Sequence, residues 1–470
     1  VPFFTKLANK LPFIDTDVPS NLSVRADMAY ILPGTPSGID VTGAATTYID
    51  DFEASQIPIS ILSPLDWYEA STPKYFPGFN GEQDDLSYNY KRGKLAWYNI
   101  DQIFYGLGNT PASITADELS RAETRQINYS ELFPNVQLDI TQNSLIRTLD
   151  LAYFHAERGS YNFNTNNNDV ENDGTFKNPQ QNWGGIMRPL TTNNFDQANV
   201  EYIQFWMMDP YYDSGNPQDF VDPTNQGKLV INLGEISEDV LKDGRKQFEN
   251  GLPAVGSTQP TTQTDWGQQP TSQSLIYAFD TNEANRNLQD AGFDGLLDAE
   301  EAINYPAFSA FSDPAEDNYQ FYLSAVGDVI ARYKNYNGTQ GNSPVNVTDA
   351  NRGNTTFPDV EDINRDNTMN TINAYFKFDV PILAYPSTET GVPVGQNYIV
   401  DTRIDNNVAL PNGQSGRVRW ILYKIPIQDI ANAEKIGFKT DLIAINPFNK
   451  NIKVPVYFAN FVLMDYGLGA

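Results

Sequence analysis

The 470 residues contain no cysteine and a single histidine, His155. Without thiols the chain can form no disulfide, no Cys-liganded zinc site and no iron–sulfur site, and one imidazole cannot build a multi-histidine metal centre. Any metal held here is bound through oxygen. Bases are also scarce, with 31 Lys and Arg against 59 Asp and Glu, for a net charge of -28. Such a polyanion is a poor partner for nucleic acid, whose affinity depends on neutralising phosphates. No stretch approaches the roughly 20 continuous apolar residues of a membrane helix. The chain opens at Val1 without a basic-apolar leader pattern, so we read it as processed or as cut from something longer.

What is present is aromatic and β-like. Phe, Trp and Tyr make 13% of the chain while charged residues make only 19%, enough apolar surface to fold rather than stay disordered. Leu22, Val24, Ala26, Met28 and Tyr30 alternate with Ser23, Arg25, Asp27 and Ala29, a period-two run as long as a barrel-type strand but equally an ordinary half-buried strand. Short β segments separated by turn residues follow, at 46–53, 57–62, 94–100, 135–140, 199–208 and 228–234. More come late, at 373–380, 397–403, 417–425, 441–445 and 453–464. Many short strands without alternating helices predict a mainly β fold, a jelly-roll or galactose-binding-like β-sandwich. The expected organisation is a linking segment at 1–40 with a barrel-type strand, a first part of the sandwich at 41–234, a loop-rich insertion at 235–370 and the remainder of the sandwich at 371–470. Within the insertion a helix is expected over 319–335. Another is expected from Thr115, where Thr115 and Glu118 fit a capping box.

The insertion also carries an oxygen-rich motif. DAGFDGLLDAEE places Asp290, Asp294 and Asp298 at positions 1, 5 and 9 of a twelve-residue loop, with Gly295 at 6 and Glu301 at 12, the spacing of a calcium loop; Leu296 at position 7 would offer its carbonyl. Position 3 is Gly292, so one side-chain ligand is missing. Residues 282–289 offer no apolar entry face and Pro306 cuts the exit helix short, which suits a structural calcium staple better than a sensor. A second run sets Asp362, Asn364 and Asp366 at positions 1, 3 and 5. Position 6 is Asn367 rather than Gly, and the run reads either as calcium loop or as an Asx-rich turn.

Other constellations are weaker. His155 has no nucleophile elbow near it and reads as structural. Acid pairs such as Asp50 and Asp51 with Glu53, or Glu238 with Asp239, would serve a jelly-roll glycoside hydrolase. The strand succession resembles galactose-binding-like sandwiches, many of them carbohydrate-binding modules with a structural calcium, in which Trp67, Trp97, Trp183 and Trp206 would stack sugars.

Longer strings give a more specific resemblance. VTGAATTYIDDFEASQ (41–56), HAERGSYN (155–162), KNPQQNWGGIMRPL (177–190), VEYIQFWMMDP (200–210), LGEISEDVLKDGRKQFENGLP (233–253), FDGLLDAEEA (293–302), RYKNYNGTQGNSP (332–344), PDVEDINRDNTMNTINAYF (358–376) and VGQNYIVDTR (394–403) together resemble the SprA (Sov) family. That is the giant outer-membrane translocon of the Bacteroidota type IX secretion system, also linked to gliding motility. The resemblance runs over about residues 20–465 and covers a minor part of the family's length. It implies that this chain is an internal, non-enzymatic section of a many-stranded export barrel, an extracellular cap over the pore. It also implies partners: a smaller outer-membrane barrel at a lateral opening, a periplasmic plug, and cargo with a C-terminal secretion domain. The family pattern has an acid where this chain has Asn373, which weakens the second calcium loop.

Overall fold

The computed structural model describes residues 3–13, 15, 58–81, 85–105, 110–139, 143–191, 195, 200–212, 226–253, 256–272, 282, 285, 288–344, 348, 352–355, 357–386, 391–427, 434–436 and 458–465. The chain divides into two units, Val1–Ser60 and Ile61–Ala470. In the first, a short helix spans Phe3–Ala8. The strands expected at 22–30, 46–53 and 441–445, and the acids Asp50, Asp51 and Glu53, lie outside the described residues.

The second unit is mainly β. Its principal strands are β1 (Tyr68–Glu69), β2 (Gly93–Tyr98), β3 (Asp150–Arg158), β4 (Gly184–Pro189), β5 (Tyr202–Met208), β6 (Gln226–Glu235), β7 (Ala374–Leu383), β8 (Ile399–Ala409), β9 (Ser415–Pro426), β10 (Glu434–Ile436) and β11 (Phe458–Asp465). A six-stranded sheet runs β1-β4-β11-β6-β7-β10 and a three-stranded sheet runs β8-β9-β5, every neighbouring pair antiparallel. No closed barrel forms among the described residues.

The pleat decides how these sheets pack. Successive side chains point to opposite faces, so Leu229, Ile231 and Leu233 on β6 join Phe376, Phe378 and Val380 on β7 in one apolar cluster, into which β9 sends Ile421, Tyr423 and Ile425. That cluster is the seam of a β-sandwich. Val230 and Tyr375 face the other way, into a second cluster with Met187 and Trp183. The central strands are thus buried on both faces, which is why their sequences read as nearly continuous apolar runs. Each large side chain sealed in this way contributes about 1.5–3 kcal/mol relative to exposure.

Several expected elements differ. Of the strands expected at 57–62 and 135–140, the described residues 58–62 and 135–139 form no strand, and two strands that carry structure, β3 and β4, were not expected. The capping box at Thr115 forms, with Glu118 Oε2 accepting from the Thr115 amide at 2.7 Å, but it closes a single turn rather than a helix. The helix expected over 319–335 is only Val329–Tyr333, capped by Asp328, because Gly327 takes a φ of 98° that ends regular helix before it.

The chain leaves the large sheet after Glu235 and rejoins it at Ala374. In between, 247–250 pairs on one side with 359–361 and on the other with 290–292. This irregular ladder brings the acidic segments together.

Candidate metal centre

Asp294, Asp298 and Glu301 converge as the loop spacing requires, but their further partners come from a segment with no loop grammar. Single carboxylate oxygens of Asp294, Glu301 and Asp317 lie within 4.8 Å of one another, and so do those of Asp298, Glu301 and Asp313. Glu301 belongs to both groups, so five carboxylates share one locus. Asp298 opens the helix Asp298–Asn304, and Glu301, one turn on, faces the same side; Pro306 follows directly after that helix, as the sequence implies.

Local hydrogen bonds account for only part of this oxygen. Asp294 Oδ1 accepts from the Leu296 amide at 3.0 Å, Glu301 Oε2 from the Ala315 amide at 2.9 Å, and Asp298 Oδ1 from Asn318 Nδ2 at 2.8 Å. Asp313 accepts from the amides of Asp317 and Asn318. Four oxygens receive no donor: Asp294 Oδ2, Glu301 Oε1 and both of Asp317. All three residues are fully buried. The hydroxyl of Tyr161 lies beside Asp317 but is engaged with Thr339 Oγ1 at 2.7 Å and the Phe293 amide at 2.8 Å. Among the described residues no Lys or Arg forms an ion pair with any of the five acids.

Burying like charges at this distance forces protons onto them. Burial, then Asp294, Asp313 and Asp298, push Glu301 up to about 9. Burial and then Asp317 hold Asp294 well above its ordinary range, and burial followed by Glu301 and Asp313 do the same to Asp317. An unpaired buried acceptor costs about 1–3 kcal/mol and a charged one more. A hard divalent cation removes both penalties, since oxygen-only donors of this number and charge suit calcium.

The missing third ligand now has a structural reason. Gly292 adopts a φ of 73°, and a Cβ there would sit 2.1 Å from Asp317 Oδ2. The Asp317 carboxylate occupies the space that a position-3 side chain would need. Sequence spacing missed Asp313 and Asp317, which with Glu316 lie twelve to sixteen residues beyond Glu301 in the run SDPAED, where no loop spacing marks them.

The side chains of the remaining expected ligands make other contacts. Asp290, in a left-handed conformation with φ 60°, turns to Glu249; burial and then Asp290 raise the proton affinity of Glu249, while Asp290 is raised by burial and lowered by its hydrogen bond with Glu249. Leu296 buries its side chain in the cluster with Trp266, Phe293 and Tyr305. In the second loop Asp362 pairs with Lys246 at 3.1 Å and caps the Asp366 amide, Asn364 bonds to Asp366, and Asp366 accepts from Thr368. Glu238 accepts from the amides of Ile363, Asn364 and Asn370 and so ties this loop to the segment that follows β6. Those residues form Asx turns around a carboxylate.

The enzyme and glycan readings find little to work with. Glu238 and Asp239 both spend their oxygens on backbone amides. His155 is half-buried on β3. Trp67, Trp97 and Trp183 belong to the core, and Arg403 lies over Trp206 at 5.7 Å. A cavity of about 900 Å³ borders Trp67, Tyr68, Phe357, Asp359 and Arg365, but Arg188 covers the Trp67 ring at 5.4 Å.

Comparison with known proteins gives short and long likenesses. Segments of 41–43 residues, 9% of this chain, are 57% identical to leucine--tRNA ligase of Bartonella henselae, 63% to that of Bartonella quintana and 56% to that of Zymomonas mobilis. The chain spans about 5% of the length of these curated relatives, a likeness too short to carry an activity. Residues 299–464 match the SprA_N model, described as a motility related/secretion protein, and this stretch includes Glu301, Asp313 and Asp317 together with β7 to β10. Over residues 299–464, about a third of its length, this mainly β chain is thus similar to the SprA_N family of motility-related secretion proteins, the group its longer strings already resemble.

Proposed function

We propose that this chain is a non-enzymatic section of the outer-membrane translocon of type IX secretion, displayed on the extracellular face as a cap over the export pore, and that calcium orders its insertion. The match of residues 299–464 to the motility and secretion family model supports the first part. The observation that carries the second is the set of four donorless carboxylate oxygens on Asp294, Glu301 and Asp317. Among the described residues no helix is long and apolar enough to cross a membrane.

In this reading the sandwich supplies a rigid body and the insertion a fixed surface of loops. Partners are a smaller outer-membrane barrel at a lateral opening, a periplasmic plug, and cargo bearing a C-terminal secretion domain. Calcium contributes by neutralising charge and fixing loop position, and no chemical step is asked of it.

The absence of cysteine makes the placement testable. A single Val326→Cys substitution, at a position 77% exposed, should react with a membrane-impermeant maleimide on intact cells that carry the full translocon. Labelling only after lysis would sink the extracellular placement. Asp294→Asn combined with Asp317→Asn should lower export of a reporter with a C-terminal secretion domain; export unchanged at low and high calcium would refute the staple's role.

A further inference from the structure

The five carboxylates of the Asp294 centre are not equivalent toward solvent. Asp294, Glu301 and Asp317 are each 0% exposed. Phe293, Leu296 and Ala315, close to them in sequence, belong to one apolar cluster with Tyr161, Trp266 and Tyr305, so this group backs onto packed core. Asp298 and Asp313 are half-buried instead, and Ala299, Glu300 and Ser312 beside them are exposed. A cation arriving from water therefore meets Asp298 and Asp313 first. Glu301, whose Oε1 receives no donor, stands with both groups.

The two walls of the centre are held differently. The segment that carries Asp313 and Asp317 is pinned from behind: Arg158 donates to Pro314 O at 3.1 Å, the Tyr161 amide to Ala315 O at 2.7 Å and Lys94 Nζ to Glu316 O at 2.8 Å. The Asp313 carboxylate is fixed in turn by the amides of Asp317 and Asn318, each at 3.2 Å. The facing helix, Asp298–Asn304, is held lightly. Glu301 is the one buried residue of its seven, and Ile303 on the same helix is 78% exposed. Few buried contacts make local displacement cheap. Glu301 thus sits on the wall that yields, while Asp313 and Asp317 sit on the wall that does not.

We propose that Asp298 and Asp313 are the entry residues of the calcium centre. The ion is taken up between Asp298, Asp313 and Glu301, and Glu301 then passes it to the enclosed position between Asp294, Glu301 and Asp317. Moving inward, the ion exchanges its waters for carboxylate oxygens, a step that calcium makes readily and magnesium reluctantly. Asp294 and Asp317 set how tightly the ion is held, and Asp298 and Asp313 set how fast it comes and goes. This entry path rests on the calcium reading given above and is independent of the translocon reading.

The test follows calcium uptake and release by the full 470-residue chain, stripped with chelator, in a stopped-flow instrument with a fluorescent calcium indicator. Asp298→Asn keeps an oxygen for the Asn318 amide group and removes one charge from the entrance. Uptake should slow about tenfold, the lower end of what a charge-lined cleft contributes, while release becomes no faster, because a raised barrier hinders passage in both directions. Asp313→Asn should act in the same sense, whereas Asp317→Asn, which alters the enclosed position, should speed release. Faster release from Asp298→Asn makes Asp298 an ordinary ligand, and unchanged uptake makes it a bystander; either overturns the proposal. Glu300→Gln, on the same helix but outside both groups, should leave uptake as it is. A slowing equal to that of Asp298→Asn assigns the effect to general surface charge and overturns the proposal too. Absence of calcium uptake by the unmodified chain sinks the calcium reading together with the entry path, while tight binding with rates indifferent to Asp298 sinks the entry path alone.

Discussion

Stripping calcium from this chain should destabilise it in a manner that depends on pH, and the acids at the Asp294 centre set the direction. Glu301 is raised from its ordinary 4.5 to about 9, with Asp294 and Asp317 raised in the same sense. A carboxyl with a folded pKa above its unfolded one holds its proton more tightly in the fold. The ion-free protein therefore keeps its full stability below about pH 4.5 and loses it as pH climbs toward 9. Each such group costs about 1.4 kcal/mol per pH unit across that window, or about 4 kcal/mol for one group between pH 5 and pH 8. Calcium displaces those protons, so its stabilisation grows with pH. At a free concentration one hundred times Kd it contributes about 2.7 kcal/mol, and at about 2 °C per kcal/mol for a unit this large the melting temperature should rise by about 5 °C at pH 8. Thermal unfolding followed by circular dichroism at pH 5 and pH 8, with calcium or with chelator, measures this. Asp317→Asn sharpens the test, because removing one buried charge should shrink the calcium response while leaving the stripped protein at pH 8 no less stable. A calcium effect equal at the two pH values, or larger at pH 5, would refute the reasoning.

Three further outcomes follow from particular contacts. Gly292→Ala should cost more than about 1 kcal/mol in urea unfolding, since a side chain at φ 73° is strained and its Cβ would meet Asp317 Oδ2; it should also blunt the calcium response. Arg419→Met should cost about 3–5 kcal/mol by the same measurement, because Arg419 and Asp209 are buried together at 2.6 Å and the change strands the carboxylate. Trp266, fully buried beside Phe293 and Leu296, should be shielded from acrylamide in calcium and become quenchable on chelation, a difference that Trp266→Phe should abolish.

The sandwich was legible where burial on one face or both left a strong apolar pattern, as in 226–235, 374–383 and 415–426. It was illegible where contrast vanished. Every residue of β3 from Asp150 to Glu157 is half-buried, so DLAYFHAER shows no alternation, and β4 starts with two glycines. The apolar positions that suggested a helix over 319–335 instead feed an aromatic group in which Tyr322 stacks on Tyr333 with ring centroids 4.7 Å apart. At the site, spacing found Asp294, Asp298 and Glu301 because they share one loop. It could not find Asp317, whose distance in sequence from Asp294 obeys no rule, and it included Asp290, whose left-handed backbone turns it to Glu249.

The acidic excess acquires a physical role in this arrangement. The described residues between β6 and β7 hold almost no sheet and must pair their buried backbone groups with something. Here charged side chains take that part. Glu238 and Glu361 accept from six main-chain amides between them, while Arg92 donates to the carbonyl of Ala70, Arg158 to those of Asn162 and Pro314, and Arg332 to those of Gly327 and Ala325. Carboxylates used in this way bring negative charge into the interior faster than the few arginines can balance it. For a chain with 59 acids and 31 bases that folds its loops by this means, the proposed calcium at the Asp294 centre would supply positive charge where four buried carboxylate oxygens receive no donor.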